Sequence, residues 1–308
     1  MKLILCLREG GAADAWLREL RAALPEAEVA EWRPGMAGDA DIALVWAPPQ
    51  QLFDEQPRLR AVFNLGAGVD PLLALRLPPA LPVVRLHDAG MAVQMAEYVC
   101  HALIRFYREF DAYAAQQREA RWQPRAPRRR ADFPVGLMGL GALGGRVAEA
   151  LRGFDFPLVG WSRTRRALDG VRCLAGDAEL DDFLQATRVL VCLLPLTDAT
   201  RGLLNRARLE RLRPGGYLIN LGRGALVVEQ DLHALLQQGR LAGCALDVFT
   251  HEPLPPEHWA WTQPGVTLTP HIGAQTLRAE AVAQVAEGVR ALRQGRAPRG
   301  LVVRERGY

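Results

Sequence analysis

The sequence has no C-x-x-C pair, no apolar run approaching the about 18 residues of a membrane span, and no acidic residue after the strand that follows its glycine-rich turn. Each absence excludes something. Cys6, Cys100, Cys173, Cys192 and Cys244 are odd in number, widely spaced and mostly set in apolar runs. That pattern argues against a thiolate metal site or paired redox chemistry and for reduced core thiols in a cytoplasmic protein, and no metal is expected. The opening "MKLILCLREG" has only a short apolar stretch and no small-residue cleavage site, so it reads as a first strand, with nothing addressing the chain for export. A net charge of +4 over 308 residues is too small by itself to make a nucleic-acid binder, and neither nucleic acid nor membrane is an expected partner.

What is present is an alternation of short β-type runs with helical patterns, which implies parallel sheets joined by crossover helices. "KLILCL", "DIALVW", "AVFNLG" and "PVVRL" are the strands of the first third, with helix-like "AADAWLRELRAAL" after the first. From Ala92 to about Ala120 the positions Ala96, Val99, Cys100, Leu103, Phe106, Tyr107, Phe110 and Tyr113 recur at helical spacing, predicting one long connecting helix. "REARWQPRAPRRRADF" then reads as a linker, because proline breaks helix and its charges prefer water. Six further strands follow: "VGLMGLG", "LVGWS", "RVLVCLLP", "GYLINLG", "GCALDVF" and "VTLTP". Six is the count of a doubly wound nucleotide fold. A last helix over about Gln275 to Gln294 allows the C-terminus to return to the first domain. The expected fold class is therefore α/β, with two parallel-sheet domains of Rossmann-like or flavodoxin-like type and a cleft between them. The divisions are 1–95 with 277–308, and 96–276.

In "VGLMGLGALGG", Gly139, Gly141 and Gly144 form G-x-G-x-x-G between a strand and an amphipathic helix, the context a dinucleotide needs. Gly139 allows the turn, Gly141 lets a pyrophosphate approach, and Gly144 permits close helix packing, with Ala142 and Leu143 in the same turn at the helix N-terminus. At the end of the next strand, where an acid would hold a ribose hydroxyl, stand Ser162, Arg163 and Thr164. Arg163, with Arg165 or Arg166 nearby, suits a 2′-phosphate, so NADPH is preferred over NADH; the alternative is a solvated basic loop.

"NLGAGVD" at Asn64 to Asp70, "NLGRGALV" at Asn220 to Val227, "LDVFTHEPLP" at Leu246 to Pro255 and "TPHIGA" at Thr269 to Ala274 occur in an order that resembles the D-isomer-specific 2-hydroxyacid dehydrogenase family. "LVWAPP" and "GWSRTRR" resemble its bacterial glyoxylate/hydroxypyruvate reductase A branch. The resemblance spans nearly the whole chain and implies NADPH-dependent reduction of small 2-keto acids to 2-hydroxy acids, in a homodimer paired through the nucleotide domain. It places Arg223, Glu252 and His271 on the catalytic positions. Reduction needs a proton for the carbonyl oxygen, which imidazole supplies near neutral pH, and Glu252 beside His271 would favour the imidazolium. Arg223 would hold the carboxylate or polarise the keto oxygen.

The resemblance also implies that backbone N–H groups of Ala67 and Gly68 face the substrate carboxylate. Leu194, Pro195, Leu221 and Asp247 would line the nicotinamide side, Asp247 accepting from the carboxamide or serving as a strand-end turn. Trp46 either narrows the pocket or belongs to the core. His251 adjoins Glu252 and is the nearest rival to His271, whereas His87, His101, His233 and His258 read as capping or surface residues. Thr250 stands where the family more commonly has an acid. The Arg-rich segment is either a solvated loop near a dimer surface or an anion-attracting rim. Rival functions are another D-2-hydroxyacid dehydrogenase, a cofactor-sensing corepressor, or nucleic-acid binding at Arg128 to Arg130.

Overall fold

The computed structural model describes residues 1–7 and 13–307. The chain divides into two compact units, Met1–Met91 with Thr276–Tyr308, and Ala92–Gln275. Ala12, the expected helix start, and Tyr308 lie outside the described residues.

In the first unit, β1 (Lys2–Cys6), β2 (Glu28–Glu31), β3 (Ile42–Val45), β4 (Ala61–Asn64) and β5 (Val83–Arg85) form a fully parallel sheet in the order β2-β1-β3-β4-β5. That is a doubly wound order. β2 was not expected: "EVAE" is an edge strand of four residues with two glutamates, too polar to register as a strand in the sequence. Helices α1 (Ala13–Ala23), α2 (Gln50–Glu55) and α3 (Asp70–Leu73) connect the strands.

The second unit starts with α4 (Met91–Tyr107) and α5 (Phe110–Arg118), not with one long helix. The helix is broken because Glu109 adopts a left-handed conformation, φ 57°. Its carboxylate holds that turn through Arg125 at 2.8 Å and Arg128 at 2.6 Å. The segment after α5 has no helix or strand up to the short turn at Arg130 and is largely exposed, as the linker reading expects. It is tied down: Arg128 lies over Phe106 and Phe133, and Arg129 pairs with Asp132.

Seven strands follow, one more than expected: β6 (Val135–Met138), β7 (Leu158–Ser162), β8 (Arg172–Ala175), β9 (Val189–Cys192), β10 (Gly216–Asn220), β11 (Leu241–Leu246) and β12 (Val266–Leu268). β8 was missed, being a short edge strand with an exposed arginine. All pairings are parallel, in the order β12-β11-β10-β9-β6-β7-β8. Helices α6 (Ala142–Arg152), α7 (Leu180–Ala186), α8 (Arg206–Leu209) and α9 (Glu229–Gln237) run between them.

Strands β6, β9 and β10 are buried along their whole length because helices cover both faces. Side-chain alternation splits them between two cores: Val135, Leu137, Val189, Val191 and Ile219 pack with α4 and α6, while Met138, Leu190, Cys192 and Leu218 pack with α7 and α9. The strand order reverses between β6 and β9. Ligands bind at the carboxyl ends of strands at such a switch point.

The chain then re-enters the first unit through α10 (Arg278–Arg293), held to α1 by Arg278 and Glu19 at 2.7 Å. Gly288 lies so near Phe63 that a Cβ would come within 2.6 Å of the ring. Among the described residues, no helix is long and apolar enough to cross a membrane.

Candidate active site

The glycine-rich turn occupies the switch point. Gly139 has φ +113°, and a Cβ there would stand 3.0 Å from the Leu193 carbonyl oxygen, at the end of β9. At Gly144 a Cβ would fall 1.9 Å from the Gly139 oxygen, so α6 rests directly on the turn. Gly141 differs: a Cβ would meet nothing within 4 Å, leaving the space in front of the turn clear. The α6 ladder opens with Gly145 N–H donating to Gly141 O at 2.8 Å. The N–H groups of Ala142, Leu143 and Gly144 come before it and, among the described residues, reach no protein acceptor. Clear approach and orphan donors at a helix N-terminus fit a dinucleotide pyrophosphate.

At the end of β7, Ser162 is half-buried while Arg163, Thr164 and Arg166 are exposed. Ser162 Oγ donates to the Thr164 carbonyl at 2.8 Å. Arg165 bonds to Glu179 at 2.6 Å and to the Cys173 carbonyl, and Arg163 and Arg166 are exposed beside it. Leu194 and Pro195 follow β9 and Leu221 follows β10; Leu194 and Leu221 are buried, and Thr200 Oγ1 pins the Pro195 carbonyl at 2.7 Å.

Of the three catalytic candidates, Glu252 and His271 meet directly, His271 Nδ1 lying 2.9 Å from Glu252 Oε2. The other Glu252 oxygen accepts Phe249 N–H at 2.9 Å. Burial pushes the Glu252 carboxyl up, but the hydrogen bonds from His271 and Phe249 and the charges of His271 and Arg223 outweigh it and hold the group below the ordinary carboxylate range. Glu252 is thus an ionised partner for the imidazole, whose Nε2 has no partner among the described residues. Arg223 is half-buried, its Nη1 donating to the Gly222 carbonyl at 2.8 Å.

His271 sits at φ 56°, a left-handed conformation costing about 1–2 kcal/mol for a residue with a Cβ. Asp247 holds it there. Asp247 is 2% exposed, its Oδ1 accepting Thr269 Oγ1 (2.6 Å) and Ile272 N–H (2.8 Å), its Oδ2 Gly273 N–H (2.7 Å), and its carbonyl His271 N–H (2.9 Å). Because the Thr269 hydroxyl gives its one proton to Asp247, the Tyr98 hydroxyl, 2.7 Å away, donates to Thr269. This places Asp247 as the organiser of the His271 loop, an arrangement the sequence did not reveal because its partners lie 22 to 26 residues ahead.

Asn220 was also missed. It is 1% exposed, and its side chain donates to the Arg223 carbonyl (3.0 Å) and accepts Gly222 N–H (3.1 Å), folding the G-R-G turn. His251 is exposed, with no partner among the described residues. His258 caps Ala260 N–H at 3.3 Å through Nδ1 and pairs through Nε2 with Glu229 at 3.1 Å; His233 stacks on Trp259. Thr250 N–H donates to that same Glu229, at 2.9 Å.

In the first unit, Trp46 is 40% exposed and so not core; its ring covers Gly66, where a Cβ would fall 2.2 Å from Cζ3. The N–H groups of Ala67 and Gly68 reach no protein acceptor among the described residues.

The D-isomer specific 2-hydroxyacid dehydrogenase NAD-binding domain matches residues 100–273. A glyoxylate/hydroxypyruvate reductase A of Escherichia fergusonii is 46% identical over 299 residues, 95% of this chain and 96% of the relative. A D-isomer specific 2-hydroxyacid dehydrogenase from Xanthobacter autotrophicus, solved with NADPH and MES, is 38% identical with a TM-score of 0.94, each chain covered to 99%. An NADPH-dependent glyoxylate/hydroxypyruvate reductase from Sinorhizobium meliloti, solved with NADP and sulfate, is 35% identical with a TM-score of 0.93, covering 100% of this chain and 99% of the other. The chain therefore belongs to the D-isomer specific 2-hydroxyacid dehydrogenase family.

Proposed function

We propose that this chain reduces glyoxylate, hydroxypyruvate and similar small 2-keto acids to 2-hydroxy acids with NADPH. The observation that carries the reading is the Glu252–His271 pair, held by Asp247 in the unit whose glycine turn suits a dinucleotide. The names of the relatives support the substrate and the cofactor.

When bound, NADPH supplies the hydride that goes to the keto carbon. His271 gives its proton to the keto oxygen, so the product leaves as the hydroxy acid and the imidazole is reprotonated from solvent. Glu252 keeps the imidazole oriented. Arg223 offsets negative charge on the substrate, and the N–H groups of Ala67 and Gly68 receive its carboxylate, with Trp46 as a flat wall that favours short acids. Gly139, Gly141, Ala142, Leu143 and Gly144 hold the pyrophosphate, while Leu194, Pro195, Leu221 and Asp247 serve the nicotinamide side. Ser162, Arg163 and Thr164, with Arg166, take the 2′-phosphate.

The reading pairs two copies of the chain, for which the wholly exposed Trp122 and the exposed Phe110 and Tyr113 offer apolar surface; a sedimentation mass of one 33.9-kDa chain would refute it. Five unpaired cysteines suit a cytoplasmic setting.

Glyoxylate, hydroxypyruvate, pyruvate and longer 2-keto acids, each assayed with NADPH and NADH, test the reading. The two- and three-carbon acids should turn over best, and kcat/KM with NADPH should exceed that with NADH by about 10- to 100-fold, the worth of one or two charge-assisted hydrogen bonds. No turnover, or a preference for NADH, refutes it.

The same assay run against pH tests Glu252. Its carboxyl is held below the ordinary carboxylate range, against the pull of burial, by the hydrogen bonds from His271 and Phe249 and the charges of His271 and Arg223, so it stays ionised and keeps accepting from His271 as pH falls through that range. Glu252→Gln removes that ionised acceptor and should lower kcat about 10- to 100-fold across the profile, the worth of one charge-assisted hydrogen bond. An unchanged kcat argues against the pairing.

A further inference from the structure

The loop after β4 is shaped by two side chains that stand side by side. Asn64 ends β4, Arg85 ends β5, and the two are register partners on adjacent parallel strands, which directs both side chains to the same face of the sheet. Asn64 is 3% exposed. Its Nδ2 donates to two carbonyls of the loop, Gly66 O and Gly68 O, each at 3.0 Å. Arg85 Nη1 donates to the carbonyl between them, Ala67 O, at 3.2 Å.

Three successive carbonyls are thereby turned toward side-chain donors. In a trans peptide the N–H points away from the C=O of the same unit. The unit whose oxygen is Gly66 O carries the N–H of Ala67, and the unit whose oxygen is Ala67 O carries the N–H of Gly68. Asn64 therefore fixes the Ala67 donor and Arg85 the Gly68 donor, and both N–H groups reach no protein acceptor among the described residues. The two side chains are not equivalent. A guanidinium on Ala67 O polarises that peptide and brings a full positive charge one peptide away from whatever Gly68 N–H binds.

The backbone of Arg85 is fixed as well. Its N–H donates to Gly300 O at 2.9 Å, and a Cβ on Gly300, at φ +87°, would lie 2.1 Å from the Arg85 carbonyl oxygen. The returning C-terminal segment thus closes on β5 backbone to backbone, an isolated antiparallel bridge linking Val84 and Leu301. The guanidinium reaches the loop from a clamped strand end, not from a mobile one.

We propose that Arg85 is a positioning residue that gives this loop its selectivity for an anionic substrate: by holding and polarising the Ala67–Gly68 peptide it favours keto acids over their uncharged analogues. This rests on the reading that Ala67 and Gly68 receive the substrate carboxylate. Arg85 does not touch the reacting atoms, so its loss weakens binding of the acid and leaves the chemical step in place.

The test is Arg85→Gln, with Arg85→Met as the second variant should the first not fold, assayed with glyoxylate and with its uncharged amide, glyoxylamide. The expected result is a KM for glyoxylate raised about tenfold, one such interaction at 1.4 kcal/mol. Turnover number and NADPH affinity should stay unchanged, and kcat/KM for glyoxylate relative to glyoxylamide should fall by the same factor. A merely structural role would lower both substrates together and would move kcat; that outcome overturns the proposal, as does an unchanged KM. An active wild-type chain whose variants keep their KM removes this inference alone. A wild-type chain that reduces no keto acid removes the underlying reading and this inference with it.

Discussion

His271→Asn is expected to lower the turnover number for glyoxylate reduction by about 10²- to 10⁴-fold, the range for loss of a positioned general acid, while NADPH affinity stays at the wild-type value. Asparagine is the informative replacement because position 271 is left-handed, at φ 56°, and asparagine tolerates that conformation better than most residues. The bonds that the N–H groups of residues 271, 272 and 273 donate to Asp247 do not involve the His271 side chain and survive the change. What goes is the imidazole that Glu252 orients. A turnover number within about tenfold of wild type would move the proton donor to another residue and leave Glu252 with only its bond to Phe249 N–H. Tight NADPH binding, read by quenching of cofactor fluorescence, shows that the nucleotide unit is intact in the variant.

Which parts of this site the sequence disclosed follows from how far apart the interacting residues are. The G-x-G-x-x-G turn is local and could be read directly, whereas Arg223, Glu252 and His271 each sit within a short motif after a strand and were pointed to by the resemblance of those motifs to the family. The groups that hold them could not be read directly. Asp247 looks in the sequence like a turn residue after β11; its function depends on a loop that only folding brings back onto it. Asn64 and Arg85 become neighbours through strand register across 21 positions, and Arg165 is claimed by Glu179 because β8 turns the chain back. The strands missed, β2 and β8, are polar edges, where alternation is weakest. The long helix failed for a different reason: its apolar spacing continues past Tyr107, but the turn at Glu109 is set by arginines 16 and 19 residues further on, and Phe110 and Tyr113 end up exposed. Periodicity reports what could be buried together, not what a distant charge will interrupt.

Gly224→Ala is the second large effect, and it comes from the backbone. A Cβ at position 224 would lie 1.9 Å from the Phe249 carbonyl carbon, 2.2 Å from Thr250 N and 2.3 Å from the Phe249 oxygen. All three are main-chain atoms, so no side chain can rotate away. Their segment is held from its other side: Phe249 N–H by Glu252 Oε1, and Thr250 N–H by Glu229 Oε1, which belongs to the carboxylate that also pairs with His258. The methyl group therefore forces the turn carrying Arg223 and the loop carrying Glu252 apart by on the order of 1 Å, enough to cost about 100-fold in kcat/KM for an aligned site. Overpacking should also lower stability by about 1–3 kcal/mol. Gly145→Ala is the matched control, in the interior of α6, where a Cβ meets nothing within 4 Å and alanine is the better helix former. If the two alanines reduce kcat/KM equally, close approach at Gly224 is not what sets the distance between Arg223 and Glu252. If only Gly224→Ala does so, and folded enzyme still binds NADPH, the glycine after Arg223 is there to let two backbones touch.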